Sequence, residues 1–133
     1  DIKFKREYAE NLPDLPCYST ELRQVFLSLI RHACTALWKI EDLDHVPCIR
    51  ISVTQLYDDL WVRFQHNGQS VSHQDQQYLF ESFTAGDNEA SQYEAEQRLS
   101  FTHFIVTEQH QGQIAVMSEP DQETTFSIQL PLK

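Results

Sequence analysis

The stretch Ile49–Gln65, IRISVTQLYDDLWVRFQ, allows few folds. Ile49, Ile51 and Val53 alternate with Arg50, Ser52 and Thr54, and Leu60, Val62 and Phe64 alternate with Trp61, Arg63 and Gln65. A period of two places one apolar and one polar face on each run, so both are strands. Tyr57-Asp58-Asp59 between them is short enough only for a hairpin turn. A hairpin with one greasy face must lay it on something. The preceding segment supplies the cover: Leu22, Val25, Phe26, Leu29, Ile30, Ala33 and Leu37 recur at helical spacing over Thr20–Trp38, with Ser19 or Thr20 as the expected cap. Helix on one side and polar residues on the other imply two layers.

The remaining elements follow the same rules. Ile2–Tyr8 alternates and reads as a strand, and Pro13 and Pro16 mark the connection to the helix. His66-Asn67-Gly68 turns the chain after the hairpin. Ser72 is placed to cap a short helix, with Asp75 three residues on and Leu79 and Phe83 facing inward. Thr84–Gln97 is polar and acidic without a period, and reads as a long loop or lid. Phe101, Phe104, Ile105 and Glu108 predict a third helix, and Gln113–Ser118 and Thr125–Leu130 two last strands around a turn at Pro120-Asp121. The 133 residues make one domain, 1–133, and the abrupt start on Asp1 inside a strand is expected of a domain excised from a longer protein.

Composition narrows the function classes. Twenty acids against ten bases give a net charge of −10, a poor balance for nucleic acid. The apolar runs are far shorter than a bilayer span, so no direct membrane contact is expected, although the full-length protein can be membrane-anchored. Cys17, Cys34 and Cys48 are odd in number, with no Cys-x-x-Cys pair, which fits a reducing, cytoplasmic compartment. Only Gly68, Gly86 and Gly112 occur, where average usage supplies about nine. Phosphate-cradling backbone usually needs several glycines.

Several phrases then resemble the ATP-binding domain of sensor histidine kinases. LPCYSTELRQVFLSLIRHACTAL is similar to that family's first helix, VRFQHNGQSV to its strand and loop Val-x-Asp-Asn-Gly-x-Gly-Ile, YLFESF to Ile-Phe-Glu-Pro-Phe, and IVTEQHQGQIAVMSEPDQETTFSIQLPL to its final helix and hairpin. The phrases cover essentially the whole chain in the family's order. The resemblance implies an α/β (α+β) two-layer sandwich: a mixed, largely antiparallel sheet of about five strands with three helices on one face. It also implies Mg-ATP as cofactor, an upstream dimerisation and phosphoacceptor helical hairpin as partner, and a response-regulator receiver domain as a further partner.

The departures fall on the residues that this resemblance assigns to the nucleotide. Its paired asparagines on the first helix, the second a Mg²⁺ ligand, are Ser28 and His32 here. Mg²⁺ prefers hard oxygen to imidazole nitrogen. Its adenine-binding aspartate is His66, Gly68 survives, and the next motif glycine is Ser70. Where Gly-x-Gly-Leu-Gly-Leu meets the phosphates, this chain has Arg98-Leu99-Ser100-Phe101, within about one residue of register, with Glu94 and Glu96 just before. Carboxylates there repel a triphosphate, and Arg98 and Ser100 are the nearest substitutes for the lost cradle. If each lost polar contact costs about 1–3 kcal/mol, and about 1.4 kcal/mol is tenfold in affinity, micromolar ATP binding falls to millimolar or vanishes. The expectation is a degenerate domain, without catalytic residues or cofactor, acting as a regulatory or docking module in a two-component sensor. Two alternatives stand beside it. One is a working kinase domain that binds Mg-ATP and phosphorylates an upstream histidine. The other is an emptied pocket in which His32 and His66, with Glu94 or Glu96, hold a transition metal.

Overall fold

The computed structural model describes residues 2–80, 99–120 and 122–132. Phe83, the segment 84–97 with Glu94 and Glu96, Arg98 and Asp121 lie outside these residues. Among the described residues the strands are β1 (Lys3–Tyr8), β2 (Cys48–Leu56), β3 (Asp59–His66), β4 (Gln113–Met117) and β5 (Thr124–Pro131). They form one sheet in the order β1-β2-β3-β5-β4. β1 runs parallel to β2, and the other neighbours are antiparallel. The helices are α1 (Ser19–Trp38), α2 (His73–Leu79) and α3 (Ser100–Phe104), which continues into a π-helical turn at Ile105–Gln109. This is the expected sandwich, a five-stranded mixed sheet with three helices.

The core sits between the inward sheet face and the apolar stripe of α1. Val25, Leu29 and Ala33 on the helix are fully buried, as are Phe64, Phe126 and Ile128 on β3 and β5. Leu79 of α2 and Ile105 and Val106 of the π turn close the same cluster. Full burial of each large apolar side chain is worth about 1.5–3 kcal/mol, so α1 is held by packing more than by its caps.

Three local expectations are corrected. Ser19 and Thr20 do not cap α1. The N-cap is Tyr18, which makes no side-chain cap bond, and both residues fall inside the first turn. Instead the Tyr18 N–H is donated to His110 Nε2 across the fold, at 3.0 Å. The two-faced pattern of β1 does not produce burial, because β1 is the edge strand beyond the helices: Phe4 stays 43% exposed and Tyr8 55%. The third helix changes hydrogen-bond spacing midway. The His110 ring takes up the Ile105 carbonyl at 2.8 Å, and Gly112 N–H reaches back to the Val106 carbonyl at 2.8 Å. Ser72 does cap α2, accepting from Asp75 N–H at 3.1 Å.

Candidate functional site

β3 ends at His66, where the chain leaves the sheet and crosses over α1. Asn67 fastens this crossing. Its Oδ1 accepts from Cys48 N–H at 2.8 Å, its Nδ2 donates to the Val46 carbonyl at 2.8 Å, and its carbonyl bonds His45 Nε2 at 2.7 Å. Gly68 has no positive φ. Its role is close approach: a Cβ there would lie 2.6 Å from the Ala36 carbonyl carbon and the Leu37 nitrogen. Gln69 N–H then donates to the Ala36 carbonyl at 2.9 Å, and Val71 N–H to Ser118 Oγ at 2.8 Å. The loop is therefore bolted to α1 on one side and to the β4–β5 hairpin on the other.

This crossing brings His66 and His32 together. Their rings are 5.8 Å apart between centroids, and His32 also meets Phe126 edge-on at 5.3 Å. His66 is fully buried and His32 nearly so. Burial drives both pKa values from 6.5 to about 4, with Lys39 adding to the effect on His32 and His32 to that on His66. Both rings are thus neutral at pH 7. Ser28 sits one turn before His32 on α1 and is half-buried. Ser70 lines both local voids. One, of about 30 Å³, is bounded by His32, Thr35, Ala36, Lys39, Gln69 and Val71 besides. The other, of about 350 Å³, is bounded by Ile40, His45, Asn67, Gly68, Gln122 and Glu123 besides. Ser100 opens α3 and is half-buried.

The hydrogen bonding of His66 determines what it offers a ligand. Gly68 N–H donates to His66 Nδ1 at 3.0 Å. A neutral imidazole has one bare nitrogen and one N–H, so the proton is on Nε2. That Nε2–H is buried and, among the described residues, has no hydrogen-bond partner; His32 Nε2 too is buried without a partner. The unengaged atom of His66 is therefore a donor, its acceptor nitrogen already occupied, on a ring that is fully buried and lines neither void. Metal ligation needs a bare nitrogen. Through Nε2, His66 would have to give up the Gly68 contact that the tight approach to Ala36 and Leu37 holds in place. Among the described residues no group of three or more His, Cys, Asp or Glu is placed to hold a metal ion.

Of the residues singled out in the sequence, the structure sets His32 and His66 ring to ring, with Gly68 N–H on His66 Nδ1 and Ser70 in the void beside His32, while Ser28 stands one helical turn before His32. Sequence reasoning missed His110, whose partner Tyr18 lies 92 positions away, and the anchoring side chain of Asn67. No local pattern announces either. Sequence reasoning read Asn67-Gly68 as a turning pair and Gly68 as a surviving motif glycine, and did not foresee the close backbone approach to Ala36 and Leu37 that Gly68 permits.

Residues 17–133 match the family model for histidine kinase-, DNA gyrase B- and HSP90-like ATPases. Solved structures agree on the fold. The nucleotide-free catalytic domain of the histidine kinase ThkA superposes with a TM-score of 0.76 at 18% identity, covering 98% of this chain and 78% of that one. The histidine kinase AdeS of Acinetobacter baumannii gives 0.72 at 17% identity, covering 99% of this chain and 55% of that one. The mycobacterial sensor histidine kinase MprB gives 0.72 at 18%, covering 98% and 81%. Comparison with curated proteins returns no match. With the two-layer sandwich and a loop crossing α1 at the motif position, the chain belongs to the histidine kinase-, DNA gyrase B- and HSP90-like ATPase family.

Proposed function

We propose that this chain is a sensor-kinase ATPase-type domain that has given up nucleotide chemistry and serves as a regulatory or docking module of a two-component sensor. The observation that carries this is the hydrogen-bonding polarity of His66. The family pattern places a carboxylate there to accept from the adenine amino group. Here the acceptor nitrogen is taken by Gly68 N–H, and the free atom is a second donor. Two donors facing one another leave both unpaired, a loss of about 1–3 kcal/mol.

The surroundings support the same reading. His32 offers imidazole where the pattern has a hard oxygen for Mg²⁺. The void beside His32, about 30 Å³, has room for about one water, and the adjoining void of about 350 Å³ reaches the small-molecule range of about 300–1,000 Å³, so it is the chemistry of His32 and His66, not volume, that speaks against the nucleotide. The residues present therefore do not fit Mg-ATP. The metal alternative is opposed by the proton on His66 Nε2. The structure of ThkA in complex with the response regulator TrrA supports a receiver domain as one partner for a docking module of this fold. Upstream helices of the same protein are the other partner in this reading, and a cytoplasmic location goes with both. Among the described residues no helix is long and apolar enough to cross a membrane.

Isothermal titration with Mg-ATP and Mg-ADP tests the proposal. Absent or millimolar binding is expected, and saturable micromolar binding would overturn it. The double reversion His32→Asn/His66→Asp restores the oxygen ligand and the acceptor. It should bind nucleotide at least about tenfold more tightly than the native chain, a gain of about 1.4 kcal/mol.

A further inference from the structure

The sheet has a second face, which no described helix covers. Pairing register and burial define it: Lys3, Lys5 and Glu7 on β1, Arg50, Ser52 and Thr54 on β2, and Asp59, Trp61, Arg63 and Gln65 on β3 point outward together. Ten bases occur in the chain, and four of them stand here within three adjacent strands. Glu7 and Asp59 are the two carboxylates at outward strand positions among the described residues. Glu7 Oε1 lies 3.1 Å from Arg50 Nε, near enough for an ion pair, though Arg50 Nε does not meet hydrogen-bond geometry. Asp59 accepts from Gln129 Nε2 at 2.8 Å. Lys5 is the direct cross-strand neighbour of Arg50, and like charges opposite one another destabilise a sheet. A chain of net charge −10 thus holds a cationic patch at some cost to its own stability.

A groove of about 570 Å³ lies beside the patch, bounded by Ser52, Thr54, Gln55, Leu56, Trp61 and Arg63. Its walls combine hydroxyls and an amide with an indole and an exposed leucine. That mixture suits one apolar or aromatic side chain flanked by a hydrogen-bonding backbone. We propose that this open face docks an acidic, extended polypeptide segment of a partner protein. Its carboxylates meet Lys3, Lys5, Arg50 and Arg63, and one apolar side chain enters the groove against Trp61 and Leu56. Charge complementarity selects the occupant. Single-stranded nucleic acid is disfavoured because base stacking needs successive aromatic rings. Trp61 is the single aromatic at outward strand positions among the described residues. The inference extends the docking reading without depending on it, since a nucleotide-binding chain could carry the same face.

Fluorescence anisotropy of three labelled probes against the 133-residue chain tests it: a Glu-rich peptide with one Phe, a Lys-rich peptide with the same Phe, and oligothymidylate. The Glu-rich peptide should bind and weaken at least about tenfold between about 20 and 300 mM salt. Arg50→Gln/Arg63→Gln should weaken it at least tenfold, as should Trp61→Ala. Lys3→Glu/Lys5→Glu, on the exposed strand β1, should weaken the Glu-rich peptide at least tenfold as well, and unchanged binding would overturn the proposal. No binding, equal binding of both peptides, or tighter binding of oligothymidylate would overturn the proposal. So would sedimentation showing self-association that Arg50→Gln/Arg63→Gln abolishes, which would assign the face to a second copy. None of these readouts depends on the Mg-ATP titration, so the two ideas fail separately.

Discussion

Two buried histidine regions sit at opposite ends of the β3–β5 pair, and they are built differently. His110 has both ring nitrogens engaged, Nδ1–H donating to the Ile105 carbonyl and Nε2 accepting from Tyr18 N–H. It pins the entry of α1 to the exit of the π turn. His32 and His66 are just as buried, yet each keeps an unpartnered Nε2 among the described residues. A satisfied buried imidazole is a structural rivet. An unsatisfied pair at a motif position is costly and rarely retained for packing alone, and it is the observation on which the proposed loss of nucleotide chemistry rests.

The comparison breaks first at His110. His110→Ala strips partners from two backbone groups and opens a void, so urea denaturation should show a loss of about 2–4 kcal/mol. A loss below about 1 kcal/mol would mean that the rivet holds nothing. The next effect is pH dependence. His32 and His66 titrate near 6.5 when unfolded and about 4 when folded. The unfolded chain then binds protons first, and the stability contributed above pH 6.5 is lost as pH falls toward 4. The loss is at most about 3 kcal/mol per histidine. Denaturation midpoints measured from pH 7 to 4 should fall in the native chain and flatten in His32→Gln/His66→Gln. An unchanged slope in that variant would place the acid sensitivity elsewhere. The smallest effect is expected for His66→Leu. It removes the unpaired Nε2–H but leaves Gly68 N–H without its acceptor, so stability should change by about 1 kcal/mol or less. A cost as large as that of His110→Ala would erase the distinction between the two regions.

Much of the fold was legible from sequence because it rests on short-range regularities. The alternation in Ile49–Gln65, the stripe from Leu22 to Leu37 and the Ser72 cap all appear where their periods place them. The same logic failed at β1, where Phe4 and Tyr8 keep a strand's pattern without a helix above them. Alternation reports which face a side chain takes, and says nothing of whether that face is covered. The site was legible as a list of substitutions, of which His32, His66, Gly68 and Ser70 are neighbours in the fold. Its hydrogen bonding was not legible. Before the loop is folded, each ring nitrogen of His66 is an acceptor in one tautomer and a donor in the other.

By itself the sequence determined the order and type of the elements, the family, and the residues that depart from its nucleotide pattern. Those follow from local periodicity and from residue chemistry, which a chain carries before it folds. Only the tertiary structure decided which tautomer His66 takes, because Gly68 N–H is aimed at Nδ1 by the close contact of the loop with Ala36 and Leu37. Only the strand register gathers Lys3, Lys5, Arg50 and Arg63, from opposite ends of the first half of the chain, onto one uncovered face. A proton's position and a patch of charge depend on neighbours brought in from far along the chain, and folding is what chooses them.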